Sequence, residues 1–348
     1  MLFASYEFIF FLLCVFIIYY ILPGKYQWIF LLIASYVFYF IANPFYLVFI
    51  TTTSFTIYYA AQKMERLRLA FKEQGFPEGI GKEEKKALKA KEKSREKKWM
   101  LAVLLLNLGI LAVLKYTNFA IANINSVARL FGSGMTLERV NIILPMGISF
   151  YTFQAVSYLI DIYHGKYEAQ KSFFRFALFV SFFPQLVQGP ISRYSDLAAS
   201  LYEPHKPEYK TVSFGIQRIL WGFFKKLVIA DRILVAVNSI IHDPDTYNGL
   251  YVFMGMMFYA LELYADFTGG IDITIGVAQT MGIKVAENFE RPYFSKNIKE
   301  YWKRWHITMG TWFTDYIFYP LSVSKFMRNL NKFARKHFGD YVGKRLPV

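Results

Sequence analysis

The 348-residue sequence has one cysteine, Cys14, which lies in the first apolar run. A single thiol excludes a disulfide framework and any metal site built from several cysteines. The five histidines do not compensate, because none pairs with another at the i, i+4 spacing typical of zinc ligands. The sequence therefore predicts no metal site.

Charge is also scarce, since Asp, Glu, Lys and Arg make up 19% of the residues, against roughly 25% in a soluble domain. Sustained alternation of apolar and polar residues, which a membrane β-barrel requires, is missing. In contrast, 55% of the residues are hydrophobic, and several apolar runs approach the ~20 residues that cross a bilayer as a helix. The composition predicts an all-α, polytopic protein of the cell membrane, in contact with the lipid bilayer.

The net charge of +15 is unevenly distributed. The segment Lys63–Lys98 has thirteen Lys and Arg against seven Glu, and the tail Ser322–Val348 has seven against one Asp. Basic segments beside apolar runs indicate the cytoplasmic side, so both are predicted to be cytoplasmic. No recognition motif accompanies the charge, so nucleic-acid binding is not expected.

Turn-forming residues divide the apolar part of the chain into candidate membrane segments. These are Leu2–Leu22, Tyr26–Ala42, Phe45–Ala61, Trp99–Tyr116, Ile142–Ile162, Phe173–Val187 and Tyr251–Gly282. The first lacks the basic start and cleavage site of a secretory signal and is expected to be retained. Lys63–Lys98 is predicted to be a solvated helical loop, and Thr117–Val140 an interfacial segment or part of a short span.

The stretch that begins Phe182-Phe183-Pro184-Gln185 leads into a segment too polar to span a bilayer. It places Gln185, Gln188 and Arg193 around two prolines. Irregular backbone at membrane depth must line a cavity or the interface, so these side chains are candidates for a binding site. Val212–Val237 is predicted to be an amphipathic helix.

Three acidic residues interrupt the last long apolar run: Glu262, Asp266 and Asp272. Glu262 and Asp266 are four residues apart, on one face of a helix, where two carboxylates in an apolar medium do not both ionise easily. They would relay protons or hold a cation, or else form a structural cluster with Lys225, Lys226 or another helix. Gly269-Gly270 indicates a tight turn or a close helix contact.

His306 is the most distinctive histidine, because Tyr301, Trp302, Trp305 and nearby cations surround it. On a continuous helix, Trp302, His306 and Gly310 would share a face that continues to Phe313. Gly310 would leave room for a ligand or a neighbouring helix. Nearby cations lower a histidine's pKa and favour its neutral form, so His306 is either a functional base or a hydrogen-bonded histidine within the bundle. Asp315 lies about half a turn away, so this helix alone supplies no His–Asp relay.

Three segments together resemble a known family, the membrane-bound O-acyltransferases. They are VSFFPQLVQGPISRY, YADFTGGIDITIGVAQTMG and ENFERPYFSKNIKEYWKRWHITMGTWFTDYIFYPL. The resemblance is strongest from residue 142 to residue 321 and is greatest to the bacterial alginate-acetylation branch.

The resemblance implies a ring of transmembrane and re-entrant helices around a central funnel. It implies that an acyl group entering from the cytoplasm passes, directly or through an extracytoplasmic acyl-transfer protein, to hydroxyls of an exported polysaccharide. The donor would be acetyl-CoA or another acyl thioester, with no bound cofactor. His306 would be the catalytic base or would position the donor. The candidate substrate-binding and donor-binding residues are Trp302, Lys303, Arg304, Trp305, Asp266, Asp272, Asn288, Gln185 and Arg193.

The sequence departs from the family in lacking the Trp-His-Gly motif that carries a second histidine. Glu262 also stands where an uncharged polar residue is expected. We therefore expect a C-terminally truncated member, with residues 1–348 forming one membrane domain. Within it, residues 62–98 form a basic cytoplasmic loop, residues 142–321 the core, and residues 322–348 a basic cytoplasmic tail.

Three functions remain open at this point. The chain is an acyltransferase or the inactive remnant of one, a non-catalytic scaffold for extracytoplasmic acyl-transfer partners, or a proton- or cation-coupled transporter module. The absence of an internal repeat disfavours the transporter.

Overall fold

The structure is a computed structural model that describes residues 5–77, 79–132, 134 and 136–345. Its elements are helices, and the only strand-like pairing among the described residues is one isolated β-bridge. The all-α prediction is therefore confirmed. The chain forms two compact units, Met1–Val285 and Ala286–Val348, which are described separately.

The first four helices are α1 (Tyr6–Ile21), α2 (Gly24–Ala42), α3 (Tyr46–Gln74) and α4 (Lys82–Leu130). Consecutive members pack against each other, as their short connections require. The first predicted span starts within residues 1–4, which lie outside the described part of the chain.

Helices α3 and α4 both extend beyond their apolar runs into the basic segment. Glu96, only 3% exposed, accepts hydrogen bonds from Arg68 of α3 at 3.0 Å and from Lys93 at 2.9 Å. The predicted helical loop thus consists largely of the ends of two helices, which the ion pairs of the buried Glu96 hold together. Both ends are rich in good helix formers. Helix α4 also continues into the segment 117–140, which was predicted to be interfacial or part of a short span, and it ends at Leu130.

Irregular backbone separates the next helices, α5 (Ile148–His164), α6 (Phe173–Ser181), α7 (Phe183–Gln188) and α8 (Tyr194–Leu201). The prediction of one span from residue 173 to residue 187 is wrong. The chain breaks between α6 and α7, because Pro184 has no amide hydrogen and fits only a helix's first turn.

Helix α9 (Tyr209–Phe223) runs through a π-helical segment, Phe224–Ala230, into α10 (Asp231–His242). Helix α11 (Leu250–Thr280) packs along this array. A Cβ atom on Gly222 would lie 2.7 Å from the carbonyl oxygen of Gly269. The glycine pair in α11 therefore serves a close helix contact and not a turn.

Among the described residues, three helices are long and apolar enough to cross a membrane: α2, α4 and α11. Helix α1 is apolar but shorter, at 16 residues. Between the helices lies an aromatic core in which Phe38 contacts Phe8, Phe11 and Phe183 at ring distances of 5.7–6.2 Å. Many large apolar side chains remain on the helix exteriors, as a bilayer environment requires.

The second unit starts with an extended segment and a 3₁₀ turn, Pro292–Phe294. The short helices α12 (Ile298–Arg304) and α13 (Ile307–Phe313) follow. A π-helical segment, Thr314–Phe318, joins α13 to α14 (Tyr319–Ser322), and the longer α15 (Lys325–Arg345) comes last.

Candidate active site around His306

His306 lies between two helices and not inside one, so the predicted common helical face of Trp302, His306 and Gly310 is wrong. Helix α12 ends at Arg304, and Trp305 forms an antiparallel bridge with Phe289. On either side of the bridge, the Glu290 amide donates to the Arg304 carbonyl, and the Ile307 amide to the Asn288 carbonyl, both at 2.9 Å. This pairing between distant segments interrupts the helix.

The backbone of His306 has φ 48° and ψ 52°, in the left-handed region. Its carbonyl oxygen accepts from the amides of Met309 and Gly310 at 3.1 Å, so His306 is the N-cap residue of α13. A residue with a Cβ atom pays roughly 1–2 kcal/mol for this conformation. Such strain is often found at functional sites, where it fixes the direction of a side chain.

Asn288 supplies the cap that the His306 side chain does not. Its Oδ1 accepts from the Thr308 amide at 3.0 Å, from the Thr308 hydroxyl at 2.9 Å and from His306 Nδ1 at 3.3 Å. Asn288 is 0% exposed. One buried oxygen thus holds both the start of α13 and the imidazole ring.

The contact with the Thr308 amide fixes the orientation of the Asn288 side chain, because an amide N–H can only donate. The atom facing His306 Nδ1 is therefore an acceptor, and Nδ1 carries the proton. The lone pair of the neutral imidazole is then on Nε2, the atom that would accept a proton in general-base catalysis. Asn288 Nδ2 is buried and has no hydrogen-bond partner within the described residues.

Burial lowers the pKa of His306 from its usual value near 6.5 to about 4. The neutral form predicted from the sequence is supported, but the cause is different. Removal from water disfavours the imidazolium, whereas the sequence pointed to nearby cations. His306 lies outside the three long apolar helices.

An aromatic cluster fixes the position of the residues beside His306. The ring of Trp305 stacks on Tyr301 at 5.7 Å and meets Phe289 edge-on at 5.0 Å. Phe289 in turn lies 6.4 Å from the imidazole, in a stacked orientation. Trp305, a predicted binding residue, thus packs in the wall of the site.

His306 borders a groove of about 620 Å³ within the second unit. Lys299, Trp302, Lys303 and Asp315 also line it. Lys299 and Lys303 are exposed and form no ion pair with any described residue, so the groove offers two cations to an anionic ligand.

Arg304 differs from the two lysines, because its guanidinium pairs with Glu300 at 2.6 Å. Glu300 also accepts from the Lys296 amide at 2.9 Å. Its own amide donates to the Asn297 side chain, which caps α12, also at 2.9 Å. The charge of Arg304 is therefore largely neutralised within the unit.

The predicted acidic residues of α11 lie in the first unit and are ion-paired. Asp272 contacts Arg218 at 2.9 Å and also Lys225. Asp266 contacts Lys226 at 2.5 Å. The π-helical segment contains both lysines, so the extra residue in that turn helps to aim them at α11. Of the two alternatives, the structural cluster matches this geometry.

Gln185 and Arg193 also lie in the first unit. Gln185 is 5% exposed, and its Nε2 donates to Ser192 Oγ at 2.5 Å and to the Pro190 carbonyl at 3.3 Å. Arg193 precedes α8, and its carbonyl accepts from the amides of that helix's first turn. Through its two hydrogen bonds, Gln185 stabilises the loop between α7 and α8.

Sequence reasoning missed two contributors to the site, Thr308 and Glu300. The spacing Asn297-x-x-Glu300 resembles a helix capping box and would have placed Glu300 in the first turn of α12. No sequence signal pairs Thr308 with Asn288, because the contact joins residues twenty positions apart.

The membrane-bound O-acyltransferase family profile matches residues 168–335, a range that includes the whole His306 site. These residues, just under half of the chain, are similar to that family. "Probable alginate O-acetylase AlgI" from Pseudomonas putida is 36% identical over 226 residues, which are 64% of this chain and 46% of that protein.

Two further relatives of this chain carry different names. "Peptidoglycan O-acetyltransferase" from Helicobacter pylori is 31% identical over 249 residues, covering 64% of this chain and 46% of that protein. "Teichoic acid D-alanyltransferase" from Bacillus subtilis is 35% identical over 184 residues, which cover 51% of this chain and 46% of that protein. The chain thus spans less than half the length of each of these relatives.

Proposed function

We propose that the protein is an acyltransferase that moves an acyl group, acetyl in the simplest case, from a thioester to hydroxyls of an exported or cell-surface polysaccharide. The observation that carries this proposal is a buried, neutral imidazole, held by Asn288 at the edge of a groove with two cations that lack ion pairs. The names of three relatives, which concern alginate, peptidoglycan and teichoic acid, support the acceptor class.

In the proposed reaction, Nε2 of His306 removes the proton of the acceptor hydroxyl as its oxygen attacks the thioester carbonyl. The C–O bond forms, the C–S bond breaks, and the proton passes to the departing thiolate. Asn288 Nδ2, the buried donor that has no partner, is suited to a developing oxyanion. Lys299 and Lys303 would bind an anionic donor such as the phosphates of acetyl-CoA.

A pKa near 4 makes His306 a weaker base than free imidazole, and this leaves a second role for the same residue. A neutral His306 can instead position the thioester without taking the proton. The two roles differ in kinetics, since loss of a base lowers kcat whereas loss of a positioning contact also raises KM.

For the membrane arrangement, we propose that residues 1–348 belong to one membrane domain. Residues 62–98 and 322–348 would face the cytoplasm, because they concentrate the positive charge. A separate extracytoplasmic protein would complete transfer to the polymer. Gln185, Arg193, Asp266 and Asp272 would then stabilise the helices of the first unit.

The test is polymer-bound acetate in a Pseudomonas host that lacks its own alginate O-acetylase. The chain is supplied either alone or joined to the C-terminal part of the P. putida relative, each with His306 or with His306→Ala. We expect acetylation that depends on His306, and no effect of His242→Ala, an exposed control. Acetate that is unchanged by His306→Ala removes His306 from the mechanism.

The same experiment distinguishes the scaffold function. A scaffold co-purifies with an extracytoplasmic partner but restores no acetate in either form. That outcome rejects the enzymatic proposal. Acetylation of the polymer without any co-purifying protein would instead reject the proposed extracytoplasmic partner.

A further inference from the structure

Helix α15 has an exposed apolar side and an exposed basic side. It starts after Ser324, whose side chain accepts from the Met327 amide at 3.2 Å. Its helical backbone is interrupted at Gly339, where φ is 82°. Residues 325–338 are thus one amphipathic helix, about 21 Å long at 1.5 Å per residue.

The apolar side includes Phe326, Leu330 and Phe333, at the i, i+4, i+7 spacing of one helical face. Phe326 is 68% exposed and Phe333 54% exposed. Two phenyl rings left this open to water on one face indicate that the isolated chain does not contain everything that contacts them.

The opposite side is mainly basic, although Asn331 and the exposed Phe338 also lie there. Residues 325–338 contain five Lys and Arg and no Asp or Glu, and all five cations are exposed. At about 100° per residue, Arg335 is roughly 160° around the helix from Phe333. This separation of aromatic and basic faces is typical of helices that lie in the plane of an anionic membrane surface.

The residues before α15 continue the exposed apolar strip. Ile317, Phe318, Tyr319 and Leu321 are 47–63% exposed, and Val323 is 53% exposed. Tyrosine is enriched where a protein crosses the level of the lipid headgroups. The strip and α15 belong to the unit that contains His306.

We propose that α15 docks on an anionic phospholipid surface, with Phe326 and Phe333 inserted below the headgroups and its cations against them. The occupant is lipid because the chain is a membrane protein, and because the aromatic face is flanked by positive charge only. Docking would hold the His306 unit at the membrane interface. This inference does not depend on the proposed acyltransferase activity.

The test places an environment-sensitive fluorophore on a single cysteine of the whole protein. In a Cys14→Ala background, Phe333→Cys carries the label, and Arg335→Cys is the matched control from the basic face. Each labelled protein is reconstituted in phosphatidylcholine vesicles with or without phosphatidylglycerol, and quenching by lipids with a spin label near the headgroup is measured.

We expect the label at position 333 to shift to the blue and to be quenched several-fold more strongly with phosphatidylglycerol than without it. The label at position 335 should remain in water in both vesicles. A label at position 333 that is shifted but not quenched by lipid is covered by protein, and this result overturns the proposal. So does a label that stays in water, or quenching that is equal in both vesicles.

A charge test supplies an independent readout. The triple variant Arg328→Gln, Lys332→Gln, Lys336→Gln should lose the dependence on phosphatidylglycerol at position 333. Removing three charges from the other basic segment, with Lys82→Gln, Lys85→Gln and Lys86→Gln, should leave it intact. Equal loss in both variants would mean that overall charge, and not α15, attracts the lipid.

Discussion

Two polar clusters of this chain have opposite characters. On α11, Asp266 and Asp272 face cations of the neighbouring helix array, and each carboxylate has at least one close ion pair. Beside His306, the buried Asn288 Nδ2 lacks a hydrogen-bond partner among the described residues.

The difference shows how charge in an apolar protein can be interpreted. Acids that are matched by cations hold helices together, since an ion in a low-dielectric medium needs a partner. A buried donor that lacks a partner, such as Asn288 Nδ2, instead marks a place where a ligand could be accommodated. The sequence drew attention to both clusters, but only their partners in space separate the ion-paired cluster from the one proposed to be reactive.

Asp272→Ala should have the largest effect, because it leaves Arg218 and Lys225 without this partner. We expect a loss of about 3 kcal/mol in unfolding free energy, the low end for breaking a buried pair. Thermal unfolding of the purified protein in detergent measures it. Asp245→Ala, from an exposed loop, is the matched control, and an equal melting temperature for both variants would show that the α11 cluster is not structural.

Asn288→Asp should change the pH dependence of the proposed activity. A carboxylate beside the imidazole favours the charged form and raises the pKa of His306. The wild type should show no loss of rate from His306 between pH 5.5 and 8, whereas the variant should lose activity as the pH falls through this window. Initial rates of acetate transfer measure this, and Asn297→Asp, which preserves a helix cap, should retain the wild-type profile.

Lys299→Gln combined with Lys303→Gln should weaken binding of an anionic donor without changing the chemical step. We expect KM for the donor to rise about tenfold with kcat nearly constant, which corresponds to about 1.4 kcal/mol. Lys296→Gln, a nearby exposed lysine that does not line the groove, is the control. A fall in kcat at constant KM would exclude the proposed donor contact.

The smallest effect is expected from Gly310→Ala, which is compared with Gly222→Ala in the first unit. Gly310→Ala should be nearly neutral, since the nearest atom to its added Cβ is 3.6 Å away. Gly222→Ala should cost about 1–3 kcal/mol, because its Cβ would lie 2.7 Å from the Gly269 carbonyl oxygen. Thermal unfolding compares them, and the reverse order would contradict the described packing.

The sequence predicted the helical class and most helix positions, because apolar periodicity and turn residues are local signals, and the role it proposes for His306 stays a prediction. It placed His306 on a continuous helix, since nothing local shows that Phe289 pairs with Trp305. The break between α6 and α7 could have been predicted from Pro184, but residues 173–187 were predicted as one span. The match between Lys225 and Asp272 depends on a π-helical turn, which propensities do not reveal.

The pKa of His306 also has a consequence for stability. Because its pKa near 4 is below the value of about 6.5 in an unfolded chain, the unfolded state binds the proton more readily. The contribution of His306 to stability is complete above pH 6.5 and is lost as the pH falls toward 4.

The state of the His306 ring tests the central claim most directly. It can be measured by ¹⁵N NMR of histidine-labelled protein in lipid nanodiscs, with His306→Asn used to assign the signal. The account predicts a neutral ring at pH 5.5 with its proton on Nδ1. A ring that titrates near pH 6.5, or that carries its proton on Nε2, would contradict it.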